Sequence, residues 1–277
     1  MVGLFLILIA STFSEIGVSI GKIEVKKKKD SIYSMGFLSL FIGTVFFFLI
    51  ALIKNSFVFS LASLPTFIPR VILEILLTFF TVSAIVKADR STYSFIKVGT
   101  LPLLVIADLV LGYELQAYQI IGVGIIIFAL AVLFLNHGIN KKGIFYSALS
   151  AILAVATLSL FKYDITKYNS VEAEQGIISV ILLIYLFFMA RLITKENPLK
   201  LLKKKEFFAQ SFFEGMGSVL VSFAFIFAPA SIITTALRSF SVLAAMISGS
   251  IYFHERHFLI KLACFVFIAI GLVLLVV

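Results

Sequence analysis

The sequence predicts an all-α integral membrane protein of ten transmembrane helices, arranged as two inverted five-helix repeats. Composition is the first observation behind this: of 277 residues, 61% are hydrophobic and 13% charged, with a mean hydropathy of +1.15. A soluble domain carries roughly 25% charged residues, so a bilayer must be the solvent. The second is that apolar runs of spanning length recur along the whole chain. The third is a register of ionisable groups. Lys97 and Glu114 are spaced as Arg238 and Glu255 are, and Glu74 and Glu214 extend the match to within one residue. Each basic member lies in an apolar run, where an ionised side chain costs about 2.5–3.5 kcal/mol on insertion scales. Duplication explains the register, and internal repeats are a common way to build a transporter.

About 20 apolar residues cross the hydrocarbon as a helix. Runs of that order lie near 2–21, 31–53, 67–86, 91–111, 117–136, 143–161, 172–193, 207–228, 231–252 and 258–277. The first lacks a basic leader, is interrupted by Glu15, and is followed by Lys26, Lys27, Lys28 and Lys29 where a cleavage site would stand, so it reads as a retained helix. The connections are short, at 54–66, 87–90, 112–116, 136–142 and the Ala-Pro-Ala turn at 228–230, so neighbouring spans run antiparallel. The spans divide five and five near Gly138, giving one repeat over 1–137 and a second over 138–277. An odd number of spans per half inverts the second half relative to the first.

The formal net charge is +9, and the Lys and Arg concentrate in the connections between spans. That pattern fits the positive-inside effect and anionic lipid headgroups and argues against nucleic acid as a partner. The connections after odd-numbered spans are the richer set, led by 26–29 and 195–205, which places them in the cytoplasm and both termini outside. The single cysteine, Cys264, allows no intrachain disulfide. No Gly-rich phosphate loop precedes a Lys-Ser/Thr. His137, His254 and His257 lie at span ends, and Asp108 is the only aspartate well inside a predicted span. The expectation is therefore a protein that is not an enzyme and that carries no cofactor and no metal.

Several ionisable groups at depth are candidates for mechanism, because such groups are functional by default. Glu15 lies among Ala10, Ser11, Thr12, Gly17 and Ser19, either as a proton- and substrate-binding carboxyl or as a group hydrogen-bonded to a neighbouring helix. Arg70 and Glu74 can pair along one helix face. Glu214 has no local basic partner and is followed by Gly215 and Gly217, which also fit close helix approach. Lys97 and Arg238 either neutralise Glu15, Glu74, Asp108 or Glu214, contact an anionic substrate group, or snorkel to the headgroups. Lys97 and Asp108 share one helix face about three turns apart. Gly99 and Pro102 between them mark a candidate hinge, and Tyr93 is a candidate vestibule residue. Glu114 and Glu255 fall in the turns before spans 5 and 10, where a carboxylate complements the positive end of the helix dipole.

Both Glu turns, Leu111-Gly112-Tyr113-Glu114-Leu115 followed by Gly122 and Gly124, and Tyr252-Phe253-His254-Glu255-Arg256 followed by Ala263 and Gly271, resemble the EamA-type drug/metabolite transporter superfamily. Tyr113 interrupts the family's Gly-Glu pair, and His254-Glu255 replaces it in the second half. The stretch Ser14-Glu15-Ile16-Gly17-Val18-Ser19-Ile20-Gly21-Lys22 is similar to helix 1 of the small multidrug-resistance transporters. There a membrane glutamate exchanges protons for substrate, with glycine spacing one residue different.

The resemblance implies a secondary transporter of the cell (plasma or inner) membrane, exporting a small metabolite, amino acid or toxic compound by alternating access; it also implies both termini in the cytoplasm, opposite to the orientation given by the loop charges. Protons through Glu15, Glu74 or Glu214 are the expected coupling ion. The substrate site is expected near mid-membrane among spans 1, 3, 4, 6, 8 and 9. A channel or lipid-translocating protein and a non-transporting assembly subunit remain the rival readings, and either a monomer or a homodimer is compatible with the chain.

Overall fold

A computed structural model of the chain describes residues 2–103, 117–135, 141–227, 230–255 and 258–276. Those residues are almost wholly helical, with no strand among them. The helices are α1 (Val2–Lys26), α2 (Ile32–Lys54), α3 (Leu64–Lys87), α4 (Arg90–Val98), α5 (Ala117–Leu135), α6 (Ile144–Lys167), α7 (Val171–Ile193), α8 (Lys205–Phe227), α9 (Ala230–Phe253) and α10 (Phe258–Val276). A 3-10 turn at Leu61–Ser63 and one helical turn at Pro198–Leu201 lie between them.

Local chemistry sets several of these boundaries. The Ser31 and Ser170 side chains accept from the Ser34 and Ala173 backbone N–H groups and so cap α2 and α7. Asn55 ends α2 in the left-handed region. Gly143 opens α6 at φ +78°, where a Cβ would stand 2.6 Å from the Ala88 nitrogen, so glycine alone suits the position. After Val98 the helix of α4 breaks at Gly99 and resumes over residues 100–103. Pro102 has no N–H for the Val98 carbonyl, and the Leu103 N–H reaches the Gly99 carbonyl at only 3.4 Å.

Seven helices among the described residues are long and apolar enough to cross a membrane: α1, α2, α3 with its preceding turn, α6, α7, α8 and α9. The chain is thus a multi-pass membrane protein by helix length and composition. Shorter apolar stretches, Ile120–Leu133 and Phe258–Gly271, run within α5 and α10. Ile53, Leu192 and Leu259 are among the large apolar side chains left exposed, as expected of surfaces solvated by lipid.

Four expectations about the elements need correction. Helix α1 continues past residue 21 to Lys26, and α6 continues past 161 to Lys167. The charged end of α6 is satisfied inside the bundle, since Lys162 donates to the Phe225 carbonyl at 2.9 Å and Thr66 to Asp164 at 2.5 Å. Asp164 is fully buried within α6, an aspartate the sequence placed beyond the end of its span. The 54–66 connection is also partly helical, holding the 3-10 turn and the start of α3. Residues 104–116, 136–140, 228–229 and 256–257 contain Asp108, Glu114, His137, His257 and most of the Ala-Pro-Ala turn, all outside the described residues.

Each long helix packs mainly on partners distant in sequence. Helix α1 lies on α8 and α9, α2 on α7 and α8, α3 on α6, α4 on α9 and α6, and α5 on α10. Phe95, Val98, Ile126, Leu133, Val242 and Ile268 centre one apolar cluster across α4, α5, α9 and α10. A second joins Ile7, Phe47, Phe161, Val219, Phe225 and Ile233. Without a hydrophobic drive between helices in lipid, small residues let backbones approach closely. A Cβ on Gly215 would stand 2.5 Å from the Gly43 nitrogen of α2, and one on Gly17 would stand 2.8 Å from the Glu214 nitrogen of α8.

Overpacking a tight contact costs about 1–3 kcal/mol. Gly215→Val is therefore expected to lower the unfolding temperature in detergent. A Cβ at Gly124 meets nothing within 4 Å, so Gly124→Ala is expected to cause no loss. A thermal scan of both variants against wild type checks the contrast; equal behaviour would contradict it.

Candidate functional site

Glu15 on α1 is 9% exposed and Arg90, the first residue of α4, 3%. They form a forked ion pair: Arg90 Nη2 donates to Glu15 Oε2 at 2.7 Å, and Nε to Oε1 at 3.1 Å. Ser248 on α9 donates to Oε1 at 2.5 Å, and Ser19 does so at 3.3 Å. A charge-assisted fork of this kind fixes both position and orientation. Lys97 and Arg238 are not the groups that neutralise Glu15; Arg90 is.

Glu214 on α8 lies beside Gly17, accepts from Gln210 at 3.1 Å and forms no ion pair among the described residues. Arg90 and Glu15 are within its electrostatic reach. The neighbouring glycines are explained by contact: Gly215 meets Gly43 on α2, and Gly217 meets Ala10 and Ser14 on α1.

Deeper along α4, Tyr93 stands between two cations, its ring centroid 5.7 Å from Arg90 and 5.8 Å from the Lys97 ammonium. Lys97 is buried and donates to the Ser150 carbonyl of α6 at 3.0 Å. The Arg238 Nε of α9 donates to the Thr100 hydroxyl at 3.2 Å. Lys97 has Arg238 and Glu74 within electrostatic reach, so Tyr93, Lys97, Arg238 and Glu74 form one neighbourhood. Gly99 sits between Lys97 and Thr100, at the break in α4.

Beyond Glu74 the track reaches a second ion pair. Arg70 pairs with Glu74 at 3.7 Å, but its shorter contact is Glu174 of α7 at 2.5 Å. Arg70 also donates to Gln175 at 3.3 Å and covers the Phe161 ring at 4.6 Å. Asn169 donates to Glu174 at 2.5 Å and to Ser63 at 3.0 Å. The polar groups thus run from the α1–α4–α8 contact through α9 and α3 to α7.

The end where α1, α3 and α9 finish carries a further network. Glu255 accepts from the Arg90 N–H at 2.5 Å, from the Ser91 N–H at 3.3 Å and from the Ser91 hydroxyl, and pairs with Lys261 at 3.1 Å. It therefore caps α4, while its contact with the following helix is the Lys261 ammonium. Burial opposes its charge, but the Ser91 hydrogen bond and Lys261 outweigh burial and hold the carboxyl below its ordinary range. Lys22 donates to the Ala88 carbonyl and lies 5.1 Å from the Phe253 ring centroid. Lys22 and Arg90, read from sequence as connection charges, are both buried.

Arg90, Glu174 and Lys22 were missed as site residues because each falls at the edge of an apolar run, where a charge reads as an ordinary terminus. The matching acids and bases at opposite edges were the available signal. No protein-family model matches the chain, and no curated protein matches it either. Fold and interior define the class: a multi-pass helical membrane protein with ionisable side chains paired across its helices.

In the α1–α2 connection, Asp30 is 5% exposed, and both its carboxylate oxygens lack a hydrogen bond among the described residues. Burial first, then Glu196 and Glu24, push its pKa up to about 8. An unfolded Asp titrates near about 3.9. Between those values the folded state holds the extra proton, so stability falls as pH rises and levels off above the folded value. Asp30→Asn should match wild type in thermal melts near pH ~4 and exceed it increasingly toward pH ~8; a pH-independent difference would contradict the assignment.

Proposed function

We propose that the chain is a secondary transporter of ten spans in two inverted five-helix repeats, 1–137 and 138–277, moving a small molecule across the cell membrane. The pattern of helix contacts supports the inverted repeat. Exchanging each helix for the one five places away turns α1 on α8 into α6 on α3, and α1 on α9 into α6 on α4. The pairs α2–α7, α4–α9 and α5–α10 map onto themselves. The resemblance of the Glu turns and of helix 1 to drug/metabolite transporters points the same way, and export is the direction it implies.

One observation carries the functional reading: Lys97 and Arg238, from opposite halves, lie between two buried ion pairs, Glu15–Arg90 and Arg70–Glu174. A bundle that needed only to fold would gain little from such a track, since buried pairs contribute little net stability. In a carrier the two pairs act as closures. Each opens one end when its fork is broken, and the groups between them face one side at a time. Glu214 is the favoured proton carrier, because its partner Gln210 is neutral and its protonation breaks no ion pair. Glu15 holds the closure with Arg90 instead.

Liposomes containing a pH dye and the purified protein test this with a panel of amino acids, cations and organic anions. Substrate-dependent proton movement should saturate, disappear in Glu214→Gln with substrate exchange retained, and fall about tenfold or more in Arg90→Gln. Flux that never saturates would instead mark a channel or a lipid-translocating protein. A folded protein with no flux for any compound in the panel would mark an assembly subunit.

A further inference from the structure

Among the described residues, three of the five buried cations pair with an acid. Arg90 has Glu15, Arg70 has Glu174 and Glu74, and Lys261 has Glu255. Lys22 has a carbonyl and an aromatic face. Lys97 and the half-buried Arg238 make no ion pair among the described residues, although they are close enough to repel each other. The nearest acid to Lys97, Glu74, is also engaged by Arg70. Two like charges held together at depth are costly unless an anion joins them.

The donor geometry says what that anion must be. Arg238 makes one hydrogen bond among the described residues, from Nε to Thr100, which orients the guanidinium and leaves both terminal amino groups without an acceptor there. Thr100 is itself fixed, donating to the Lys97 carbonyl at 2.8 Å. Lys97 uses one of its three N–H groups on the Ser150 carbonyl. A planar fork beside an ammonium is the arrangement that takes a carboxylate or phosphoryl group through several charge-assisted hydrogen bonds. Tyr93 closes the neighbourhood with an aromatic wall and a hydroxyl.

We propose that Lys97 and Arg238, one from each half and meeting at the α4–α9 contact, form the binding site for the carboxylate or phosphoryl group of a small organic anion. This rests on the carrier reading and names its substrate class. The two cations occupy equivalent places in the two halves, so the anion sits where the halves meet and can hold them together as either closure opens. Thr100 is a positioning residue, acting through Arg238.

The test uses purified full-length protein in phosphate-free detergent buffer. Unfolding temperature is measured against malate, citrate, benzoate and glycerol 3-phosphate, with glycerol and tetraphenylphosphonium as the neutral and cationic probes. At least one organic anion should raise the unfolding temperature with a saturating dose response, and tetraphenylphosphonium should not. Arg238→Gln and Lys97→Gln should each weaken that anion about tenfold or more. Arg238→Lys, which keeps the charge but loses the fork, should weaken it less. Thr100→Val retains both charges and should still weaken binding, which covers the case where a charge-removing variant does not fold. The proposal is overturned if tetraphenylphosphonium stabilises and no anion does, if no anion stabilises at all, or if anion affinity is unchanged in the variants. Counterflow of the stabilising anion in liposomes separates the two readings. Binding without exchange keeps the site and removes the carrier. Exchange of a compound indifferent to Lys97 and Arg238 keeps the carrier and removes the site.

Discussion

The constraint on which the structure depends is that a charge inside hydrocarbon must be met by another element of the same protein. Glu15 and Arg90 show how this organises the bundle. Neither has a partner on its own helix that could neutralise it, so α1 and the start of α4 must be adjacent, with Ser248 bringing in α9. Glu255 then caps α4 from the end of α9. At the other end Arg70 and Glu174 tie α3 to α7, with Asn169 and Ser63 completing the acceptor set. These contacts specify which helices meet, while the apolar clusters and lipid-facing surfaces are compatible with many arrangements.

Close backbone approach makes those pairings geometrically possible. Glycines at 17, 43, 215 and 217 bring α1, α8 and α2 together, so that Glu214 stands directly against α1. Helix α4 combines the opposite qualities: its start is fixed by Glu255, and its ladder is interrupted at Gly99 and Pro102, one turn from Lys97. Past Gly99 the described chain is therefore not held by the α4 ladder, while the start of the helix is held by its cap at Arg90.

Much of this organisation was legible in the sequence, because spans and interior charges are written as composition. The existence and order of the helical segments followed from apolar runs, and Glu15, Glu74, Lys97, Glu214 and Arg238 stood out as charges within them. Partner choice was not legible, since one sequence does not give the rotation of each helix about its axis. Arg90 stood beside Lys87 in a short connection and looked like a solvated cation, yet it lies buried against Glu15. Asp164 and Lys162 seemed to end a span, although partners on α3 and α8 allow α6 to continue past them. Glu255 was read as a cap for the helix that follows it; that it caps α4 required knowing that α4 and α9 pack together.

The most direct test of the account is a double-mutant cycle on Glu15→Gln and Arg90→Gln, read as unfolding free energy in detergent. If the pair is the tie described, each single change leaves an uncompensated buried charge. The two losses should then overlap, with a coupling energy of about 2 kcal/mol or more. Losses that add within about 0.5 kcal/mol would mean that the two side chains do not meet, and the closure built on them would fall.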